Sequence, residues 1–300
     1  MMGASARDVL EVARFEVARA LRSWSAAATL MLFVIVHVGG AVMFVELLRA
    51  FESEVGGALG VTTGTKPGAM LSQLRHHDSY LGMIEFLSGG SRGLSQALAA
   101  TPPLALFVRW LSLHLVPLLV VFSASEAISA DVAPRTLRFE ALRTGRAEIV
   151  AGRMLGQFVV LVGALLSAFS AVYAVGLMAM VGIEPGVYAL ALLLAAAGSA
   201  AASLPYLGLA LAVSQFGTSS AWSRALGLAA WVALSASYLM LRWLTEDAAW
   251  ADALLPLFPQ DWIGLYWRFG VMPWLAAAVH VAQGVLLAAV GFVNFARRDL

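Results

Sequence analysis

The chain of 300 residues contains no cysteine, so disulfides, thiolate metal sites and cysteine nucleophiles are excluded and the redox compartment is unreadable. Charge is also scarce. Only 12% of residues are charged, against roughly a quarter in a soluble domain. The formal net charge is +1, which offers nothing to a nucleic acid. Lysine occurs once, as Lys66, among many arginines, and alanine is abundant, a bias that fits GC-rich bacterial coding. No GxxxxGK[ST] stretch is present to cradle ATP phosphates, and no GxSxG or HExxH marks a hydrolase or zinc protease.

Apolar residues fill the space that charge leaves. The composition is 61% hydrophobic, with a mean hydropathy of +0.83. Apolar runs of about 20 residues, the length that crosses a hydrocarbon core of about 30 Å, recur along the chain. They lack the alternation of a membrane barrel. Backbone groups in lipid must bond internally, so the spans are expected to be helices. The fold class expected is an all-α integral membrane protein with six transmembrane helices, at 26–48, 104–128, 154–182, 187–213, 221–243 and 273–295. The whole chain reads as one transmembrane domain, 1–300.

Four segments lie between or beside the spans. Residues 5–24 read as an amphipathic interfacial helix, with Val9, Leu10, Ala13, Val17, Leu21 and Trp24 on one face and Arg7, Glu11, Arg14 and Arg22 opposite. Phe15 and Glu16 break that pattern. A signal peptide is the competing reading, and the acidic residues and long charged lead argue against it. Residues 49–103 form a long external loop with a turn-rich stretch and two short helical patterns near 69–88 and 91–100. Residues 129–152 form a short charged loop. Residues 244–272 form a second external loop, and Trp243, Trp250, Trp262, Trp267 and Trp274 around it suit an aromatic belt.

Orientation follows from the basic residues. Six spans put both termini on one side. Arg7, Arg14, Arg19, Arg22, Arg135, Arg138, Arg143, Arg146, Arg153, Arg224, Arg297 and Arg298 share that side, twelve in all, against seven on the other. The positive-inside rule makes the richer side cytoplasmic. The expected location is the bacterial inner (cytoplasmic) membrane, multi-pass, with both termini cytoplasmic.

The loop ISADVAPRTLRFEALRTGRAEIVAGRMLG is too charged for lipid and too patterned for a slack tether. Residues 133–142 suit a short helix with Pro134 in its first turn, ended by Thr144-Gly145. Leu137 and Ala141 can face the membrane while Arg135, Arg138 and Arg143 point to the cytoplasm. Spacing alone leaves two readings open: a docking knob for another protein, or a solvated loop obeying the positive-inside rule.

This segment resembles the signature loop of the type 2 ABC transporter permease family. The matches are Asp131, Thr136-Leu137-Arg138, Arg146, Ile149 and Gly152-Arg153. RFEVARALRS resembles the family's N-terminal interfacial helix, FPQDWIGLY its stretch before the last span, and FARRDL its arginine-rich end. Arg135 stands in place of a glycine, the turn lacks a proline, and Arg153 replaces a lysine. The long first external loop is closer to the subgroup with gliding-motility and nitrous oxide reductase copper-maturation permeases. The resemblance implies the membrane subunit of an ATP-driven exporter. Asp131, Arg135, Thr136, Leu137, Arg138, Phe139, Glu140, Leu142, Arg143 and Arg146 would couple to the ATPase through a cytoplasmic coupling helix between spans two and three. Arg14, Glu16 and Arg19 would belong to the interfacial helix. The implied partners are a separate ABC ATPase subunit, a second permease copy forming a homodimer, and the lipid bilayer. This chain would hold no cofactor and no metal and catalyse nothing, with ATP and magnesium on the partner ATPase.

Other polar residues have two readings each. Arg109 and Glu126, near opposite ends of the second span, are candidates for a substrate path, and so are Glu46 and Arg242 near the ends of others. Ionisable groups in membranes default to function, yet near span ends snorkelling suffices. His37 and His114 have the chemistry to ligate haem, and hydrogen bonding to neighbouring helices is the ordinary alternative. That keeps open a haem-binding or enzymatic membrane protein without an ATPase. His76, His77 and Asp78 have metal-ligand chemistry in an external loop, where solvation is the plain alternative. Gly152, Gly156 and the small residues 195–203 suit close helix packing or a dimer seam.

Overall fold

The computed structural model describes residues 5–59, 66–132, 136–245 and 249–297. Arg135, Pro134 and Arg298 lie outside them. Within the described residues the chain is helical and has no strand. Its long helices are α2 (Trp24–Leu59), α6 (Pro103–Ala124), α8 (Arg146–Ala179), α9 (Pro185–Ala202), α10 (Leu204–Phe216), α11 (Ser220–Leu244) and α14 (Met272–Arg297). Six stretches are long and apolar enough to cross a membrane, with α9 and α10 forming one of them, Pro185–Phe216. The chain is therefore a multi-pass membrane protein in its architecture.

Several expected boundaries move. Helix α2 runs eleven residues past the expected end at Leu48, through Gly56 and Gly57, because the residues after Arg49 are mostly tolerated in a helix and none of them is proline. The loop that follows, expected to be external, is correspondingly shorter. It holds α3 (Leu71–Leu74), α4 (Asp78–Ser88) and α5 (Arg92–Leu98). Helix α8 starts at Arg146, eight residues before the expected span, so Ile149, Gly152 and Arg153 are helical rather than part of a loop. The fourth span is divided at Ser203. Pro205 has no N–H for the carbonyl four residues back, and its ring crowds that turn. Ser203 Oγ donates instead to Ala200 O at 2.7 Å.

The chain divides into two compact units, whose boundaries fall within α2, α6, α8 and α9. The first unit contains residues 1–30, 115–163 and 200–300. Its most extensive helix pairing among the described residues is α10 with α14. A Cβ on Gly208 would lie 2.1 Å from Gly284 O, one on Gly284 would lie 2.6 Å from Leu204 O, and one on Gly291 would lie 2.5 Å from Ala212 Cα. Small residues allow this backbone approach, and dispersion then holds the pair where lipid offers no hydrophobic gain. Gln215 Nε2 adds a hydrogen bond to Ala288 O at 3.3 Å.

The second unit contains residues 31–114 and 164–199. His37 is fully buried there, with Nδ1 at 2.7 Å from Phe33 O and Nε2 at 2.6 Å from Ser112 Oγ. Both ring nitrogens are thus engaged. His114 is exposed and bonds Trp110 O. Glu52 is buried and accepts from Gly68 N–H at 2.9 and 3.0 Å. Gly68 has φ 109°, and a Cβ there would lie 2.1 Å from Val181 O, so only glycine suits this turn. Pro67 O accepts from Val181 N–H at 2.9 Å and Met178 O from Lys66 Nζ at 3.1 Å. The return end of the loop is thereby tied to the end of α8.

Gly208→Ala and Gly284→Ala should each lower the thermal midpoint of the detergent-purified protein, at a cost of about 1–3 kcal/mol for overpacking. Gly163→Ala, with open space around it, should leave the midpoint unchanged or raise it. Equal midpoints for all three variants would remove the close α10–α14 contact.

Candidate coupling site

Helix α1 (Ala6–Arg22) packs one stripe of its surface on α8. Gly152 and Gly156 leave a groove on α8, and added Cβ atoms would meet Val12 Cβ at 2.5 Å and Glu16 Cβ at 2.7 Å. These two glycines therefore serve packing within the chain. The protein-facing stripe is Val12, Ala13 and Glu16, whereas Leu10, Leu21 and Trp24 are exposed. Of the apolar face expected from periodicity, Ala13 is packed on the protein and Leu10, Leu21 and Trp24 are left outward. Glu16, which broke that pattern, is the charged residue the helix buries, at 2% exposure.

A buried carboxylate needs donors. Gln157 Nε2 donates to Glu16 Oε1 at 2.7 Å, and Arg19 Nη2 donates to the same oxygen at 2.7 Å. The other end of the Arg19 guanidinium reaches Asp131 Oδ2, also at 2.7 Å. Burial works against the Arg19 charge, but the Glu16 and Asp131 carboxylates outweigh it and hold the pKa above the ordinary arginine value. Asp131 sits in a single turn, Ser129–Asp131, after α6. Ser214 Oγ on α10 accepts from Ile128 N–H and Ser129 N–H at 2.8 and 3.0 Å and holds that turn in place.

Arg153 joins the remaining pieces. It is 2% exposed, extends from α8, and lies 2.7 Å from Asp131 Oδ2 and 2.5 Å from Glu140 Oε2. It also donates to Ala127 O. Glu140 belongs to α7 (Thr136–Arg143), so one guanidinium links α7, α8 and the turn after α6. Planar, multi-donor geometry makes arginine able to do this where lysine, a point charge, is not. Two guanidiniums and three carboxylates thus tie four segments together.

The ties decide which face of α7 is left open. Leu137 is 1% exposed and buried within the protein, not turned to the membrane as its spacing allowed. Glu140 points to Arg153. Thr136 Oγ1 donates to Asp131 O or Oδ1, both at 3.3 Å. Arg138, Phe139, Leu142 and Arg143 occupy the opposite arc and are exposed, Phe139 at 68% and Leu142 at 78%. A bulky aromatic, a leucine and two arginines in one exposed patch have the makeup of an interaction surface.

The remaining expected site residues fall elsewhere. Arg146 begins α8 and donates to Phe295 O and Ala296 O at 2.7 and 2.8 Å, meeting the free carbonyls at the end of α14. Arg14 is exposed on α1. Arg109 is half-buried on α6 in the second unit. Glu126, a candidate for a substrate path, lies 2.6 Å from Arg224 of α11, whose guanidinium also covers the Phe122 ring. In the loop between α2 and α6, His77 Nδ1 accepts from Ser79 N–H at the start of α4, and Asp78 pairs with Arg92. Among the described residues no group of three or more His, Asp and Glu is placed to hold a metal ion.

Arg153 entered the sequence reading only as a cytoplasmic arginine and as the counterpart of a family lysine, without a partner in this chain. The available signal was its position, a guanidinium seven residues after Arg146 at the edge of a long apolar run. His280 is a second case. It is buried on α14, between Tyr266 OH at 2.8 Å and Pro259 O at 3.0 Å, and pins the segment before the last span. No family model matches the chain, and a comparison with curated proteins gives no match either.

Arg153→Ala should cost about 3–5 kcal/mol, the loss expected when a buried ion pair keeps only one partner. Arg153→Lys should recover only part of it. Arg7→Ala, at an exposed pair, should change nothing measurable. The measurement is thermal unfolding in detergent, and an Arg153→Ala midpoint equal to wild type would dismiss the network as a structural hub.

Proposed function

We propose that this chain is the membrane subunit of an ATP-driven exporter of the type 2 ABC class, and that α7 is its contact with a separate ATPase. The observation that carries the reading is the two-sidedness of α7. Its inner side is fastened by Leu137 and by the Glu140–Arg153 pair, while Arg138, Phe139, Leu142 and Arg143 are presented outward. A solvated loop needs neither the fastening nor an exposed Phe–Leu pair. A coupling element needs both, because a force on the outer face reaches the spans only through a stiff contact.

In this reading both termini and α7 face the cytoplasm of a bacterial inner membrane, as the arginine distribution favours. Two copies of the chain and two ATPases form the working unit, with ATP and magnesium held by the ATPases. Closure of the ATPase pair moves α7. The Arg153 and Arg19 bridges carry that displacement into α8, α1 and the turn after α6. Work enters as a bias between two arrangements of the spans. The resemblance of 128–156 to the family's signature loop supports the assignment.

The test is affinity purification of the full-length chain from its native membranes. A Walker-A ATPase should co-purify. The double variant Arg138→Glu/Arg143→Glu should lose it while keeping a wild-type thermal midpoint, since neither side chain belongs to the buried network. An ATPase retained by the double variant, or no ATPase with the wild type, rejects the proposal.

A further inference from the structure

Helices α3, α4 and α5, in the loop between α2 and α6, border a cavity of about 440 Å³ that plays no part in the coupling site. That volume falls in the range of small-ligand sites, roughly 300–1,000 Å³. Arg75 and His76 enter it just after α3, and Asp78 from the first turn of α4. Arg92 and Gln96 stand one turn apart on α5 and complete its polar wall. Only Leu81 and Ala99 are apolar among its lining residues.

The chemistry of this wall suits an anion. Arg92 Nη2 donates to Asp78 Oδ1, which leaves the rest of the Arg92 fork for another partner. Arg75 is exposed and forms no ion pair among the described residues. Two guanidiniums against one carboxylate leave the cavity net positive. A guanidinium fork matches the paired oxygens of a phosphate, and Gln96 adds both a donor and an acceptor. A metal ion would meet two fixed cations here, and an apolar ligand would find too little apolar wall.

Neighbouring residues fix the height of the cavity relative to the bilayer. The exposed Glu46–Arg49 pair on α2 and Arg109 on α6 mark the level at which hydrocarbon gives way to headgroups. The Phe44 and Phe107 rings, stacked 4.7 Å apart, put these two helices in register at that level. Trp110 is one turn further along α6, and the Phe86 ring of α4 lies 6.3 Å from it. Phe86 is 73% exposed, as a side chain in contact with acyl chains can be. The cavity is towards the other end of α4. At 1.5 Å per residue, Leu81 and Asp78 are about 8 and 12 Å from Phe86 along the helix. Headgroups form a layer about 5–8 Å deep on each side of the hydrocarbon. Helix α4 therefore runs from the hydrocarbon edge to the lipid phosphates.

We infer that the cavity between α3, α4 and α5 binds the phosphodiester of an anionic, hydroxyl-bearing phospholipid headgroup. Arg75 and Arg92 hold the phosphate, Gln96 and Asp78 meet headgroup hydroxyls, and the acyl chains pass Phe86 and Trp110. The ammonium of a zwitterionic headgroup is disfavoured by the net positive wall. Such a lipid fastens the loop to the membrane surface. The site rests on this loop and its two flanking spans, not on the ATPase assignment.

The chain has no cysteine, so Ala97→Cys, exposed on α5 beside the cavity, can carry a single environment-sensitive fluorophore. The labelled full-length protein in detergent is titrated with dioctanoyl phosphatidylglycerol, dioctanoyl phosphatidylcholine or inorganic phosphate. Phosphatidylglycerol should give a saturable change at least five times tighter than phosphatidylcholine, and inorganic phosphate none at the same concentrations. Arg75→Gln, which keeps the Arg92–Asp78 pair, should weaken the phosphatidylglycerol response at least five-fold at an unchanged thermal midpoint. Arg75→Gln/Arg92→Gln should weaken it further. Arg14→Gln/Arg297→Gln removes two exposed arginines outside the cavity and should leave it unchanged. Wild-type affinity in Arg75→Gln, an equal response to phosphatidylcholine, or an equal loss in the Arg14→Gln/Arg297→Gln control would overturn the site. Inorganic phosphate that saturates the signal and displaces the lipid would make the cavity a free-anion site and overturn the lipid assignment. Loss of the ATPase contact in the α7 variants has no bearing on these titrations.

Discussion

A guanidinium withdrawn from water next to a membrane span has few stable arrangements, and the Arg153 side chain occupies one of them. Its charge is met by Asp131 and Glu140 and a further N–H by Ala127 O. Charge pairs of this kind gain little net stability over apolar packing, because desolvation consumes most of the attraction. Their effect is on position. The partners of Arg153 come from two other segments, so neither can move without leaving a charge unmatched in a low-dielectric setting. The orientation of α7 depends on this constraint, and so does the identity of the residues it exposes.

Arg19 and Glu16 extend the same logic to α1. The helix was free, by its own periodicity, to lay its apolar ridge on the protein. Two glycines on α8 instead admit the stripe that carries Glu16, and the carboxylate then recruits Gln157 and Arg19. Leu10, Leu21 and Trp24 are left outward, as a helix at a membrane surface would have them. Close approach and charge pairing thus work together, the first setting the distance and the second the rotation.

Several polar groups at depth elsewhere in the chain are met by neighbours distant in sequence. Ser112 meets His37, Ser214 caps the turn after α6, and His280 holds Tyr266 and Pro259. Histidine is useful here because its two nitrogens face opposite ways and can join an irregular segment to a helix. The exposed tryptophans Trp243, Trp250 and Trp274 suit an interfacial belt, whereas Trp267 is buried and Trp262 donates to Pro256 O, so these two serve the segment itself.

Hydropathy alone determined the class of this protein. Scarce charge, long apolar runs and the absence of strand alternation leave a bundle of membrane-crossing helices as the stable outcome, and six such stretches are present. A short helix ended by Thr144-Gly145, expected over 133–142 and described over Thr136–Arg143, was readable too, because helix formers and glycine act locally. Boundaries such as Leu59 and Arg146 were not, since a helix continues past its apolar core wherever propensity and packing permit. Nor was the pairing of Arg153 with Asp131 and Glu140, or that of His280 with Tyr266 and Pro259 O. Both depend on which helices lie side by side, a choice made by glycine contacts such as Gly208 with Gly284 and by the need to match each desolvated charge, and local sequence carries no record of the partner.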